Sequence, residues 1–557
     1  MSLKPGDNKT EKYGARIALL LIIAAAAYLR FAELGVPSFW VDELNFVYAG
    51  KSLLHGEEPR LPSGNLNQRA MLYAHSVALS FRCLGVNEFA ARFPSAVFGI
   101  LAVLAIYLIA KDLFGRGVGV LSAFLLTFSH LAIGWSRLAR MYTLFQLLFM
   151  IGAYAFYKGF EGKAVSCEAG ARPSFGKKLK CYVAEQGLCW PWLILGAFVF
   201  WLSFQVHELT GIFAASVLAF IAGSFLFKLM NGEKAGALRS KYGLSLAAAL
   251  LLAVFGFAFF DLAAFVQRAV SFHPSWAKYA YVQDTHYYYY LLTESSQFPL
   301  AAFFLIGGIQ MITRVDKKAF YLACNFVAPV LLHSFAFSYK IPNYIFQVYP
   351  FFAVLAAYAM VNLYRGEAEK IFLRRREAKP ALLRRMKKAV LLLAVFGWLP
   401  LTLWFRYALK LPFMGSAGHN GAVDYEDWRG AAEFVKADTT HPQILASTLP
   451  LTLLYYAGRA EYGLNLAHTD EALDWREPAL NNGKRRDYYS GAEAITNFDE
   501  LQRMLAQHRA ALFVVDTYRF EHSQYVPTEI AQFVKSNMTR VWEDGKKTVQ
   551  VFRWERK

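Results

Sequence analysis

Long apolar runs decide what this chain can fold into. Eleven of them recur, at roughly 17–34, 93–110, 118–136, 141–157, 189–206, 209–227, 243–266, 298–312, 319–339, 341–364 and 389–405. A helix of about 20 residues crosses a hydrocarbon core about 30 Å thick, and several of these runs sit near the short limit. A chain with so many such runs is a polytopic α-helical membrane protein. Composition agrees: 56% of residues are hydrophobic, 18% are charged, and mean hydropathy is +0.28. The first run follows Lys4, Lys9, Lys12 and Arg16 and is not followed by a small-residue cleavage site, so it is expected to stay as an anchor.

The basic residues orient the spans. Net charge is +18, but residues 406–557 hold 19 Lys+Arg against 20 Asp+Glu, while residues 1–405 hold 40 against 21. An excess confined to the membrane part reports topology rather than a nucleic-acid partner. With a cytoplasmic N-terminus, the segments 1–16, 111–116, 158–188, 228–242, 314–318 and 365–388 lie inside and carry 29 Lys+Arg; the outer loops up to residue 405 carry 11. The expected location is the plasma (inner) membrane, with the C-terminal part extracytoplasmic, or periplasmic where there is a periplasm. The run Ala70–Leu84 is short and interrupted by His75, Ser76, Ser80 and Arg82, so it reads as a helix lying in the interface, within one large outer loop at 35–92.

After Phe405 helical patterns (Tyr425–Lys436, Asp499–His508) alternate with strand-like runs (Ile444–Ser447, Ala511–Asp516, Thr548–Trp554). This is the pattern of an α/β domain, with no glycine-rich phosphate loop and no nucleophile elbow. The five cysteines, Cys83, Cys167, Cys181, Cys189 and Cys324, show no metal-knuckle spacing, and three lie in or beside one cytoplasmic basic loop. No structural disulfide and no cysteine-bound zinc are expected.

Directly after the first span, at Phe39-Trp40-Val41-Asp42-Glu43-Leu44-Asn45, two adjacent carboxylates sit at a span mouth. Carboxylates beside hydrocarbon are costly, which makes Asp42 and Glu43 candidates for catalysis, with Asp42 as base. The competing reading makes Asp42 a helix N-cap. Cations fall on the same outer side: Arg69, Arg137, Arg140, Arg268 and Lys340. At headgroup depth they would suit a lipid-linked phosphate. Arg137 and Arg140, three apart, would share one helical face. His207 and Glu208, and more distantly His286, are candidate acceptor or secondary polar residues, with an interhelical hydrogen-bonded pair as the alternative for the first two. Also on this side lie His273, Asp284 and the run Tyr287-Tyr288-Tyr289-Tyr290, which reads as an interfacial aromatic belt. Arg30 and Arg92 read as span-end arginines snorkelling to lipid phosphate, and His130 and His333 as satisfied core histidines.

A first span, then Asp42-Glu43, then a large outer loop with surface helices resembles the GT-C glycosyltransferases. More narrowly it is similar to the protein O-mannosyltransferase and aminoarabinose transferase branch. The local carriers are Ala91-Arg92-Phe93-Pro94-Ser95 leading into a span, Leu113-Phe114-Gly115-Arg116 at an inner turn, and Ser136-Arg137-Leu138-Ala139-Arg140-Met141-Tyr142. The likeness covers roughly residues 15–365. It implies transfer of a sugar from a polyprenyl-phosphate donor to a lipid, glycan or protein acceptor on the outer face. Asp42 matches the catalytic acid of the first outer loop, and Arg69 stands where aminoarabinose transferases have a phosphate-binding lysine. Gln68 replaces a glutamate associated with metal, and no carboxylate stands near Met141, so no obligatory metal or other cofactor is expected.

The expected protein is therefore a GT-C fold of about 11 transmembrane helices over residues 1–405, with an extracytoplasmic α/β domain over 406–557. Its expected activity is inverting transfer of a hexosyl or pentosyl group. The alternatives are a lipid or sugar transporter or flippase with an outer partner-binding domain, and a non-catalytic assembly protein. A transporter would place ionisable residues deep in its spans and show internal repeat symmetry, neither of which is evident.

Overall fold

The structure is a computed structural model that describes residues 9–162, 187–232, 234–259, 267, 284–293, 297–337, 340–365, 398, 426–438, 444–469 and 485–556. The first helices are α1 (Lys9–Phe31), α2 (Val41–Leu54), α3 (Met71–Leu84), α4 (Glu88–Phe114), α5 (Arg116–Thr127), α6 (His130–Ser136) and α7 (Tyr142–Glu161). Apolar helices follow at Trp190–Phe204, Phe213–Met230, Lys241–Phe259, Phe298–Arg314, Lys317–Phe335 and Tyr349–Tyr364. Helices thus occupy ten of the eleven apolar runs; the run 389–405 lies outside the described residues except for Trp398. Among the described residues four helices are individually long and apolar enough to cross a membrane, and two bent pairs raise the number to six by the same test. One bent pair is α5 and α6, which meet at 61° where Ser129 caps α6.

Helix α3 has 14 residues, about 21 Å of rise and too short to span. It buries Tyr73, Ala74, Val77 and Phe81 in the same core as Phe46 and Val47 of α2, and Tyr73 Oη bonds Ser95 Oγ of α4 at 2.7 Å. Segments expected to lie inside meet at one end of the bundle. There Lys158 pairs with Asp112 at 3.1 Å, Lys317 with Glu161 at 3.0 Å, and Lys318 Nζ donates to the Leu113 carbonyl at 2.8 Å.

The C-terminal part is a six-stranded sheet: β1 (Ile444–Ser447), β2 (Tyr462–Gly463), β3 (Glu493–Ala494), β4 (Ala510–Asp516), β5 (Thr539–Glu543) and β6 (Val549–Glu555), ordered β3-β2-β1-β4-β6-β5. The first four strands run parallel; β6 is antiparallel to β4 and β5. Alternation sorts side chains to two faces. Ile444, Ala446, Ala511, Phe513 and Val515 face a core shared with helices Phe498–Gln507 and Thr528–Asn537. Leu445, Leu512, Val514, Val549 and Val551 face helix Trp428–Ala437, in a core continuous with that of the membrane bundle. The short β2 and β3 and the half-exposed β5 lacked a sequence signal.

The chain between α1 and α2 is fixed by one buried ion pair. Arg92, in the first turns of α4, donates Nε to Glu43 Oε1 and Nη2 to Glu43 Oε2, both at 2.8 Å. Its other N–H groups reach the carbonyls of Leu34, Pro37 and Ser38, each at 3.0 Å. Glu43 also accepts from the backbone N–H of Trp40 at 2.9 Å and of Ala139 at 2.7 Å. Both side chains are essentially without solvent contact. The snorkelling reading of Arg92 is therefore corrected. So is that of Arg30, which is fully buried and donates to Ser136 Oγ at 3.1 Å. A side chain at Gly99 would collide with that same Arg30–Ser136 contact.

Removing one partner of a buried, fully bonded ion pair costs about 3–5 kcal/mol. Arg92→Ala and Glu43→Ala are each expected to destabilise the detergent-solubilised protein by that amount, measured by thermal or denaturant unfolding. A change within about 0.5 kcal/mol, typical of surface sites, would contradict the buried geometry.

Candidate active site

Helix α2 opens at Val41 with Trp40 as its N-cap residue, so Asp42 is the second helical residue and does not cap. The cap role belongs to Glu43, whose carboxylate reaches back to the Trp40 N–H. All four acceptor positions of Glu43 are filled, which removes it from the catalytic candidates. Asp42 points the other way. Its side chain is 35% exposed and its Oδ2 lies 3.4 Å from Arg140 Nη1. The two adjacent carboxylates thus have opposite environments because consecutive helical residues point about 100° apart.

Arg140 is locked over this carboxylate. Nη1 donates to the Asp42 carbonyl at 2.9 Å and Nη2 to Tyr142 Oη at 3.4 Å. The guanidinium sits 5.5–5.8 Å from the ring centroids of Trp40, Phe46 and Tyr142. Its Nε is buried without a hydrogen-bond partner among the described residues, so Arg140 retains donor capacity. Arg137 does something else. Its Nη1 reaches the carbonyls of Leu29, Arg30 and Ala32, at 3.2, 3.4 and 2.6 Å, closing the C-terminal end of α1, where the helix dipole favours a cation. Residues 137–141 form a turn rather than a helix, so Arg137 and Arg140 do not share a face.

Arg69 is exposed, in a loop tied to α2 by Asn67 Nδ2 donating to the Asn45 carbonyl at 2.7 Å. It lies close enough to act electrostatically on His207, Tyr344 and Tyr489. His207 stacks on Phe145 at 5.1 Å and lies 6.0 Å from Tyr142, ring centroid to centroid. Burial, reinforced by Arg69 and Arg140, pushes its imidazole down to about 3, so it is neutral at physiological pH. Nδ1 accepts from the Leu209 N–H at 3.2 Å, which places the proton on Nε2 and makes that nitrogen a donor. Glu208 is exposed and bears on Tyr344 from the same turn. Asp42, Arg69, Arg140, His207 and Glu208 therefore converge, with Tyr142, Tyr344 and Asn343, whose Nδ2 donates to Tyr142 Oη.

Other expected residues fall elsewhere. Lys340 is 3% exposed and donates to the Phe337 carbonyl at 3.0 Å; burial lowers its pKa, with Asp284 opposing. His286 is a surface residue whose ring contacts stay within its own turn, with Asp284, Thr285 and Tyr290. Arg268 and His273 lie outside the described residues. In the tyrosine run, Tyr287 and Tyr288 are buried, and Tyr288 Oη donates to the Ile341 carbonyl at 3.0 Å, so only Tyr289 and Tyr290 face outward. His130 is bonded to Gln297 at 3.4 Å, whereas neither ring nitrogen of the fully buried His333 has a partner among the described residues. Cys83, Cys189 and Cys324 are free thiols. Among the described residues no three His, Cys, Asp or Glu side chains are grouped to hold a metal.

The site includes a contribution the sequence did not announce. The C-terminal domain packs directly on this end of the bundle. Tyr456 Oη accepts from the Phe39 N–H at 2.7 Å and donates to Glu88 at 2.8 Å, and Arg429 pairs with the same Glu88 carboxylate. Asn65 Nδ2 donates to the Tyr488 carbonyl at 2.9 Å and the Ser63 N–H to that of Tyr489 at 3.2 Å. A tyrosine in a polar loop of a separate domain has no periodicity or motif to flag it.

Residues 68–176 match the family model for dolichyl-phosphate-mannose-protein mannosyltransferase. An uncharacterized protein of Aquifex aeolicus is 24% identical over 348 residues, which span 61% of this chain and 63% of that protein. Among solved structures, ArnT from Cupriavidus metallidurans in the apo state aligns with a TM-score of 0.53 at 14% identity, over 97% of this chain and 98% of that one. The same protein bound to undecaprenyl phosphate gives 0.52 at 15%, over 96% and 97%. The oligosaccharyltransferase AglB from Archaeoglobus fulgidus, in complex with an inhibitory peptide and a dolichol-phosphate, gives 0.59 at 13%, over 97% of this chain and 74% of that one. At these identities the structural likenesses show the fold: this chain has the GT-C fold, with a C-terminal α/β domain, as its sequence motifs imply.

His207 gives this arrangement a pH signature. Its folded-state pKa lies below the ordinary histidine value of about 6.5, so its contribution to stability is complete above that value. It is lost as pH falls from there toward about 3, because the unfolded chain takes up the proton first. Asn at this position keeps an acceptor for the Leu209 N–H but cannot titrate. His207→Asn is expected to lose less stability than wild type between pH 7 and pH 4 in melting experiments; parallel losses would contradict a buried neutral imidazole.

Proposed function

We propose that this protein is an integral-membrane glycosyltransferase that moves a sugar from a polyprenyl-phosphate carrier to an acceptor hydroxyl on the outer side of the membrane. The observation that carries the reading is the pairing of a half-exposed carboxylate, Asp42, with the cations Arg140 and Arg69 at the bundle end covered by the C-terminal domain. The relatives support it by their descriptions: one family is described as dolichyl-phosphate-mannose-protein mannosyltransferase, and two structures hold undecaprenyl phosphate or a dolichol-phosphate.

The reaction fits a single displacement. The acceptor oxygen bonds to the anomeric carbon while the bond from that carbon to the carrier phosphate oxygen breaks. The electron pair leaves on the phosphate and the hydroxyl proton passes to Asp42. Attack opposite the leaving group inverts the anomeric centre. A phosphate diester leaving as a monoester needs charge stabilisation more than protonation, which Arg69 and Arg140 can supply through charge-assisted hydrogen bonds. Arg140 also orients Asp42. The Nε2–H of His207 is a neutral donor for a sugar hydroxyl or phosphate oxygen. Glu43 and Arg137 are structural in this reading, and Lys340 is not assigned a contact.

Asp42→Asn removes basicity and, because Asp42 does not cap α2, leaves the helix start unchanged. Transfer is expected to fall about a hundredfold to ten-thousandfold, the usual cost of losing a general base, with melting unchanged. Arg69→Ala should weaken donor use about tenfold to a hundredfold, the loss of a hydrogen bond to a charged group. Both are read as radiolabelled sugar moving from polyprenyl phosphate into extracted lipid, glycan and protein. Turnover retained by well-folded Asp42→Asn would overturn the base assignment.

The proposed orientation places the exposed turn before β6 outside the cell. In a background with Cys83→Ser, a cysteine introduced by Lys546→Cys should react with a membrane-impermeant maleimide in intact cells. Reaction only after permeabilisation would reverse the topology.

A further inference from the structure

The loop 485–491 of the C-terminal domain does more than dock. Asp487, 3% exposed, organises it by accepting from the N–H groups of Tyr489 and Ser490, at 3.1 and 2.7 Å, and from Ser490 Oγ at 2.7 Å. The Tyr488 and Tyr489 carbonyls receive Asn65 and Ser63, a few residues before Arg69, and Gly491 lies against Ser63 so closely that a side chain there would crowd it. The Tyr489 ring is held edge-on by His468 at 5.1 Å and Tyr488 at 5.3 Å. Its hydroxyl makes no hydrogen bond to any described residue, and the side chain is only half-buried. The phenol lies within electrostatic reach of Asp42, Arg69 and Arg140 together. Burial, then Asp42, raises its pKa, so the hydroxyl keeps its proton and is a donor.

Resting on the transferase reading above, we propose that the C-terminal domain forms the outer wall of the reaction site and that Tyr489 is a positioning residue for the hydroxyl-bearing acceptor. The donor must arrive from the lipid side with its carrier, whereas Tyr489 enters from the aqueous side, next to the carboxylate that would take the acceptor proton. A rigidly held aromatic ring with a free hydroxyl fits the flat face and edge hydroxyls of a sugar, or a hydroxyl side chain, and neither loses much side-chain entropy on binding such a wall. The docking bonds around Ser63 and Asn65 keep that wall in register with Arg69.

The test separates acceptor from donor. In membranes holding the full-length protein and radiolabelled polyprenyl-phosphate sugars, water serves as a second acceptor, and free sugar reports its use. Tyr489→Phe is expected to lower transfer to glycan, lipid or protein about tenfold, chiefly through the acceptor KM, while hydrolysis of the donor to free sugar stays at the wild-type rate. Hydrolysis and transfer falling together, or neither changing, would overturn the proposal. A readout independent of turnover is photo-cross-linking in intact cells with p-benzoylphenylalanine in place of Tyr489, and in place of Lys546 as control. A glycan, lipid or protein adduct specific to position 489 is expected, and identical patterns at the two positions would overturn it. Wild-type protein that turns over no polyprenyl-phosphate sugar, yet gives the specific adduct, would sink the transferase reading and leave the wall in place.

Discussion

The ion pair between Arg92 and Glu43 sets the geometry on which the rest depends. A guanidinium with all five N–H groups bonded, facing a carboxylate with all four acceptor positions filled, is a rigid junction in a water-free setting. It gathers the connection after α1, the first turn of α2, the start of α4 and the turn after α6. Desolvating two charges is costly, and only complete hydrogen bonding offsets it. That completeness makes the junction specific: each bond it satisfies is a backbone group that irregular chain at a span mouth would otherwise leave unpaired.

From that junction the site follows by geometry. With Glu43 fixed inward, Asp42 must project outward from the same helical turn. The Ala139 N–H held by Glu43 is one residue before Arg140, so the same carboxylate that anchors α2 also sets where Arg140 begins. Three aromatic rings then hold the Arg140 guanidinium over Asp42. Of the two adjacent acids, Glu43 is thus bound into the structure, and Asp42 is left for the role proposed for it. Arg137 closes α1 in parallel, so the two arginines of that turn divide in the same way.

Much of this was legible beforehand. Ten of the apolar runs hold described helices, and strand-like patterning marks β1, β4 and β6, because those signals arise from burial on one face or all round. Asp42, Arg69 and Arg140 stand out in the sequence as charged residues where charge is expensive, and the structure places them near one another. What escaped was partnering. Arg92 and Arg30 look like any span-end arginine until their acceptors, 49 and 106 residues away for Glu43 and Ser136, are known. Glu43 and Asp42 are indistinguishable in composition and differ only in which way the helix turns them. Arg137 and Arg140 would share one face only on a helical spacing that the chain does not adopt there. Tyr489 and the docking loop depend on a contact between residues over four hundred apart, which no local pattern encodes.

In the proposed reaction the lipid phosphate and the reacting carbon meet between Asp42, Arg140 and Arg69 under the C-terminal domain. A cryo-EM structure of the full-length protein in a nanodisc with bound polyprenyl phosphate tests it most directly. Phosphate density is expected within hydrogen-bonding distance of Arg69 or Arg140, with the Asp42 carboxylate facing the space beside it and Glu43 still on Arg92. Phosphate bound away from both arginines, or Glu43 released from Arg92 to face the ligand, would contradict it.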